Sequence, residues 1–90
     1  MFYVYVLEAI GGELYTGYTK DLKKRIGQHN QGLNSSTKRY GPWRLIYYEV
    51  SLNQSDARRR EGYLKTTQGR RLLKRRLKDY FYNQEKNLAD

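Results

Sequence analysis

The sequence predicts a small α/β (α+β) domain on three observations. Three short runs are rich in aromatic and β-branched residues, three longer stretches carry helical spacing with cap residues, and only 90 residues hold them all. A chain of this length buries roughly 60–65% of the surface its unfolded form exposes, so the core is thin and a two-domain arrangement is excluded. One domain is expected over residues 1–82, with a frayed C-terminal tail over 83–90.

The run Phe2-Tyr3-Val4-Tyr5-Val6-Leu7 reads as the first strand. Alternation sets Phe2, Val4 and Val6 on one face and Tyr3, Tyr5 and Leu7 on the other. Gly11-Gly12 marks a turn, and Leu14-Tyr15-Thr16-Gly17-Tyr18 follows as a second strand, so the two form a hairpin. A turn symmetric about Ile10 sets Tyr5 opposite Tyr15. Asp21 to Gln31 reads as a helix with Thr19 as N-cap and Gly32 at C′. Leu22 and Ile26 supply its core contact, while Arg25 and His29, also four apart, share a more exposed face. The polar segment from Gly32 to Pro42 is a loop, and the nearly continuous apolar content of Trp43 to Val50 marks a third strand, expected at the centre of the sheet. Asn53-Gln54-Ser55 starts a helix over Asp56 to Lys65, and Gly69 separates it from a last helix over Arg70 to Tyr82.

Composition narrows the function. Eighteen Lys and Arg stand against nine Asp and Glu, for a net charge of +9. Ten of the cations lie between Ser55 and Lys78, where Asp56 and Glu61 are the only acids. Such a concentration fits a polyanionic partner better than a merely solvated face, and with ten tyrosines it resembles a nucleic-acid surface. With no cysteine there is no disulfide, thiolate nucleophile or Cys-based metal site, and His29 is the lone imidazole. No run reaches the roughly 18 apolar residues of a membrane span, and Met1 to Leu7 lacks the basic start of a secretion signal, so a soluble cytoplasmic protein is expected.

Glu61 is the most informative single residue. It shares a helical stripe with Ala57 and Leu64, which turns a carboxylate toward the protein, and an inward carboxylate must be paired, hydrogen-bonded or metal-bound. A salt bridge to Arg58 or Lys65 on the same helix is the plain reading; a functional role is the other.

Taken together, Tyr3-Val4-Tyr5, Tyr15-Thr16-Gly17 with Tyr15 ten residues after Tyr5, Arg25 ten after Tyr15, His29, and Glu61 in a helix after a third strand resemble the GIY-YIG endonuclease domain. The resemblance runs from Phe2 to about Lys78 and is greatest to small stand-alone bacterial members. It implies a three-stranded antiparallel sheet flanked by helices and a metal-dependent endonuclease that hydrolyses DNA phosphodiesters. It also implies roles. Tyr5 and Tyr15 are the motif tyrosines, Tyr5 accepting the proton of the attacking water and Tyr15 orienting water or phosphate. Gly17 is the closing glycine, Arg25 binds the phosphate, His29 takes up a proton, and Glu61 holds Mg²⁺ or Mn²⁺. Lys38 and Arg39 of the loop, with helix-borne Arg58, Lys65, Arg70 and Lys74, are the expected contacts to single-stranded, branched or duplex DNA. The protein is expected to act as a monomer or a transient dimer.

The chain departs from the family pattern at Tyr3 in place of Gly, Thr16 in place of Ile, Tyr18 in place of a small or basic residue, and Leu73 where several relatives carry Asn, with Gln68 as a candidate substitute. Tyr18 and the missing Asn motivate the alternative of a nucleic-acid-binding module of the same fold without useful catalysis. A basic ribosome-associated protein would leave Glu61 and the tyrosine pair unexplained, and RNA is an alternative substrate.

Overall fold

Alternation along the first strand organises the molecule. The computed structural model describes the backbone of residues 1–89 and the side chains of residues 1–84. The elements are β1 (Phe2–Ala9), β2 (Leu14–Thr19), α1 (Leu22–Asn30), β3 (Trp43–Ser51), α2 (Gln54–Leu64), α3 (Thr67–Arg76) and α4 (Lys78–Ala89). The strands form one antiparallel sheet in the order β2-β1-β3. Val4 and Val6 pack on one face against Ala57 and Leu64 of α2 and Leu73 of α3. Tyr5, Leu7 and Ala9 pack on the other with Trp43 and with Leu22 and Ile26 of α1. Helices therefore cover both faces, and the three-stranded antiparallel sheet expected from the sequence is present.

Its centre is β1, not β3. Every residue from Val4 to Ala9 is buried, whereas β3 leaves Arg44, Tyr48 and Val50 in water. Continuous apolar content marks the strand covered on both faces, and aromatic edge strands mimic that pattern because a tyrosine tolerates partial exposure. The hairpin register also differs from the symmetric expectation. Tyr5 pairs with Gly17 and Leu7 with Tyr15, so the turn is centred on Gly11 rather than Ile10. The turn closes through the Ala9 N–H to the Glu13 carbonyl and the Gly12 N–H to the Ala9 carbonyl, each 2.9 Å, with Gly12 at φ +92°. A shift of two residues preserves facing, so Tyr15 still shares the face of Tyr5, one diagonal step away.

Helix ends follow side-chain chemistry. Asp21, not Thr19, caps α1: its carboxylate accepts the Lys24 N–H at 3.1 Å, and the Thr19 hydroxyl accepts the Asp21 N–H. At the other end Gly32, at φ +74°, donates to the His29 carbonyl while the Leu33 N–H reaches Gln28, a Schellman closure. The break expected at Gly69 lies at Thr66, whose hydroxyl accepts the Gly69 N–H at 3.0 Å. Gly69 sits inside α3 because α2 and α3 meet there. A Cβ at this position would fall on the Tyr63 carbonyl oxygen and 2.6 Å from the Leu64 Cα.

The single helix expected over Arg70 to Tyr82 is two, separated at Leu77, whose ψ of 28° is not helical. The bend returns Tyr80 to the sheet, where its hydroxyl donates to the buried Glu8 carboxylate and accepts from Arg44 at 2.5 Å. The segment read as a tail lies in α4 as far as Ala89, and Asp90 lies outside the described residues.

Replacing Gly69 by Ala is expected to destabilise the fold by about 3 kcal/mol, because backbone rather than a flexible side chain must give way. Gly62→Ala, where nothing lies within 4 Å of the added Cβ on exposed α2, should stabilise by about 0.5–1 kcal/mol. Urea unfolding of the two variants beside the parent measures both.

Candidate active site at the edge of the sheet

Strand β2 forms one edge of the sheet, with α1 on one face and α2 on the other. Between them lies a cleft of about 650 Å³. Strand β2 contributes Tyr15, Tyr18 and Thr19 to its lining, α1 contributes Lys24, Arg25 and Gln28, and α2 contributes Gln54, Arg58 and Glu61. Lys20 and Asp21 complete it from the connection between β2 and α1.

The wall behind Tyr15 is a buried hydrogen-bond chain. A Cβ on Gly17 would overlap the ring and hydroxyl of Tyr5, so the glycine is what lets that ring lie across β2. The Tyr5 hydroxyl meets His29 Nε2 at 2.7 Å, and His29 Nδ1 meets the Thr37 hydroxyl at 2.7 Å. The Thr37 hydroxyl faces the Asn34 carbonyl at 3.4 Å, and its own carbonyl accepts the Trp43 indole N–H at 2.8 Å. This network assigns the tautomer: Nδ1–H donates to Thr37, leaving the Nε2 lone pair to accept the Tyr5 O–H. Burial drives the Tyr5 phenol up to about 12, against the opposing pull of the Arg25 guanidinium. Burial likewise lowers His29 below its ordinary value, and Arg25 adds to that shift. Both rings are therefore neutral near pH 7. His29 does not share the exposed face expected of it: α1 turns its last ring inward, where Tyr5 and Thr37 satisfy both nitrogens.

Tyr15 stands in front of this wall. Its ring lies edge-on to His29 with centroids 4.9 Å apart and 6.3 Å from Tyr5. Arg25 donates to Gln28 Oε1 at 3.2 Å, and its buried Nε has no partner. On the opposite side Arg58 lies 4.0 Å from the centroid of the Tyr18 ring, so Tyr18 forms a floor for a cation, and its buried hydroxyl is also unpartnered. The Glu61 side chain is 17% exposed and pairs with Lys65 Nζ at 3.2 Å, which settles the alternative of Arg58 against Lys65 as its helical partner. Asp21, the cleft's other carboxylate, is engaged as the cap of α1. Among the described residues no three His, Asp or Glu side chains converge, which leaves Glu61 as the cleft's single carboxylate free of a backbone-capping duty. Four cations, Lys20, Lys24, Arg25 and Arg58, surround these two acids, a balance that attracts anions.

Of the residues singled out from the sequence, the cleft gathers Tyr15, Arg25, Arg58 and Glu61, with Tyr5, Gly17 and His29 behind them. Lys38, Arg39 and Lys65 are exposed outside its lining, Arg70 is half-buried in α3, and Lys74 borders a separate hollow with Glu8 and Leu14 at the far end of the sheet. Leu73 is buried against α2 and β1, and Gln68 is exposed outside the cleft, so neither supplies a polar group there. Lys20, Lys24, Gln28 and Gln54 were not singled out. The spacing of Gln28, three positions from Arg25 on a short helix, was the available signal for one of them.

Comparison with known proteins supports a kinship. A family model described as the GIY-YIG catalytic domain matches residues 1–74. The chain is 38% identical over 93 aligned positions to a UPF0213 protein of Clostridium perfringens strain 13, covering 98% of this chain and 100% of that one. A UPF0213 protein of Staphylococcus saprophyticus is 41% identical over 73 positions, covering 80% and 89%. The solution NMR structure of a UPF0213 protein from Bacillus halodurans superposes with a TM-score of 0.51 at 35% identity, covering 81% of this chain and 82% of that one.

Two outcomes follow from the buried chain. Because His29 is held below its unfolded value, the unfolded chain binds the proton first, so stability is full above about pH 6.5 and declines as the pH falls below it. Chemical denaturation at pH 7.5 and 5.5 should show a smaller difference in His29→Gln than in the parent. Tyr5→Phe leaves Nε2 buried without its donor and should cost about 1–3 kcal/mol in the same measurement.

Proposed function

The chain belongs to the GIY-YIG catalytic domain family, and on that footing we propose that it is a metal-dependent DNA endonuclease that hydrolyses phosphodiester bonds in the cleft beside β2. The observation that carries this reading is the convergence of Arg25 and Glu61, from helices on opposite faces of the sheet, on one cleft that Tyr15 also lines. An arginine fork neutralises phosphate oxygens as negative charge grows on them in the transition state. The unpartnered Arg25 Nε is a donor held ready for such an oxygen.

Glu61 fits one Mg²⁺ or Mn²⁺, because these hard ions take one or two carboxylates and fill the remaining positions with waters and substrate phosphate. When bound, the ion supplies Lewis-acid neutralisation of the phosphate. Lys65, paired with Glu61, holds the carboxylate in place. Tyr15 is the tyrosine whose position serves the reaction directly, orienting water or phosphate by hydrogen bonding. Tyr5, expected from the resemblance to take the water's proton, is fully buried with a phenol pushed up to about 12, so its part is to position Tyr15 through the wall it builds with His29. Lys20, Lys24 and Arg58 guide the backbone phosphates, and the exposed Lys38, Arg39 and Lys74, with the half-buried Arg70, add long-range attraction. So small a domain has little surface to spare for the dedicated groove-reading elements of extended duplex recognition, so single-stranded or branched DNA is the favoured substrate over a long duplex site.

The Glu61–Lys65 ion pair also favours a second reading, a binding module in which the carboxylate is only structural. Cleavage of end-labelled single-stranded, duplex and branched DNA with Mg²⁺, Mn²⁺ or EDTA separates the two. A nuclease should cut only with metal, and Arg25→Ala and Glu61→Gln should each lower kcat by about 10²–10³-fold while DNA is still bound. Tyr15→Phe should lower kcat with little change in KM. Cutting that survives both substitutions refutes the assigned site, and binding without cutting under every metal selects the binding module.

A further inference from the structure

Helix α1 covers only part of its face of the sheet. Leu22 and Ile26 reach over Tyr5, Leu7 and Leu45, but at the other end of that face Tyr48 and Val50 stay exposed, with no helix among the described residues packed over them. The register places Tyr5 against Tyr48 and Tyr3 against Val50, so Tyr3, Tyr48 and Val50 share this uncovered end. Tyr48 is 51% exposed and Val50 44%. The Tyr3 and Tyr48 rings lie 6.2 Å apart at 53°, an aromatic corner with one side open. A hollow of about 530 Å³ lies there, floored by Leu45 and Ile26 and rimmed by Lys20 and Lys23. Lys20 and Asp21 border both this hollow and the cleft that contains Glu61. Lys23 opens onto the hollow and Lys24 onto the cleft, so consecutive cations of α1 divide between the two.

An aromatic corner beside ammonium groups is the chemistry that holds an unpaired base and its phosphate: the ring faces stack on the base, and the lysines replace counterions on the backbone. Charge complementarity and continuity with the cleft single out one occupant. We propose that the hollow is a base-stacking subsite for single-stranded DNA, in which a base flanking the scissile position stacks on Tyr48 beside Tyr3 while the backbone passes Lys20 and Lys23 into the cleft. The subsite rests on the nuclease reading for the direction of the strand, and it explains how so small a domain selects single strands: a base within a duplex is already stacked and cannot enter.

The test uses the full chain in EDTA, so that binding is read apart from cutting, with a labelled oligothymidylate of roughly twelve nucleotides and a blunt duplex. Tyr48→Ala should weaken binding of the single strand by about tenfold and Tyr48→Phe should restore it, while duplex affinity moves by less than about twofold. Irradiation of the same strand carrying 5-iodouracil should cross-link to Tyr48 or Tyr3, mapped by peptide mass. Unchanged affinity in Tyr48→Ala with cross-links elsewhere overturns the subsite. So does sedimentation showing a dimer that Tyr48→Ala dissociates, because a second copy then occupies the face. Metal-dependent cutting with cross-links elsewhere defeats the subsite and leaves the nuclease standing, whereas a cross-link at Tyr48 with no cutting under any metal upholds the stacking site and removes the nuclease reading.

Discussion

The hydrogen-bond chain from Tyr5 through His29 to Thr37 is the constraint on which the site depends. It joins the central strand, the end of α1 and the following loop at 2.7 Å contacts inside the core. Each polar group in it is satisfied, so it fixes one arrangement of three segments whose apolar contacts alone are not directional. Gly17 is part of the same constraint, since any side chain there would displace the Tyr5 ring. The motif residues thus form an interlock: the glycine makes the space, the tyrosine fills it, and the histidine ties the tyrosine to α1, whose preceding turn carries Arg25.

The second half of the site is built differently. Glu61 rides on α2, which packs through Ala57 and Leu64 onto the opposite face of the sheet and is braced by the close approach of Gly69 in α3. Arg25 and Glu61 are therefore related through the thickness of the sheet rather than through any direct bond. Arg58, resting on Tyr18, and Lys65, paired with Glu61, surround the carboxylate with positive charge. That arrangement returns a net positive field to the cleft.

Much of this was legible in the sequence because it depends on local pattern. The faces of β1 and the inward stripe of Ala57, Glu61 and Leu64 follow from periods of two and 3.6, and the Gly32 closure from the access of glycine to positive φ. What was misread depends on tertiary geometry. Nothing local distinguishes a turn centred on Ile10 from one centred on Gly11, and only the sheet shows which aromatic strand has two neighbours. Gly69 has the composition of a helix break, yet it is needed within a helix because another backbone lies against it. The exchange of prominence between Tyr5 and Tyr15 has the same origin: spacing marks both rings, but burial decides which one a substrate can meet.

The edge position of the cleft carries a further consequence for self-association. An outer strand offers unpaired N–H and C=O groups to any strand that approaches, and natural sheets guard such edges with charge. The side chains of Lys24, Arg25 and Arg58 that flank β2 provide that guard, because a second copy of a chain with net charge +9 meets like charge there. The electrostatics that draw a polyanion to β2 thus also protect its backbone from fibrillar pairing, and the burden of edge protection passes to β3, with Arg44 near one end and the tyrosine corner near the other.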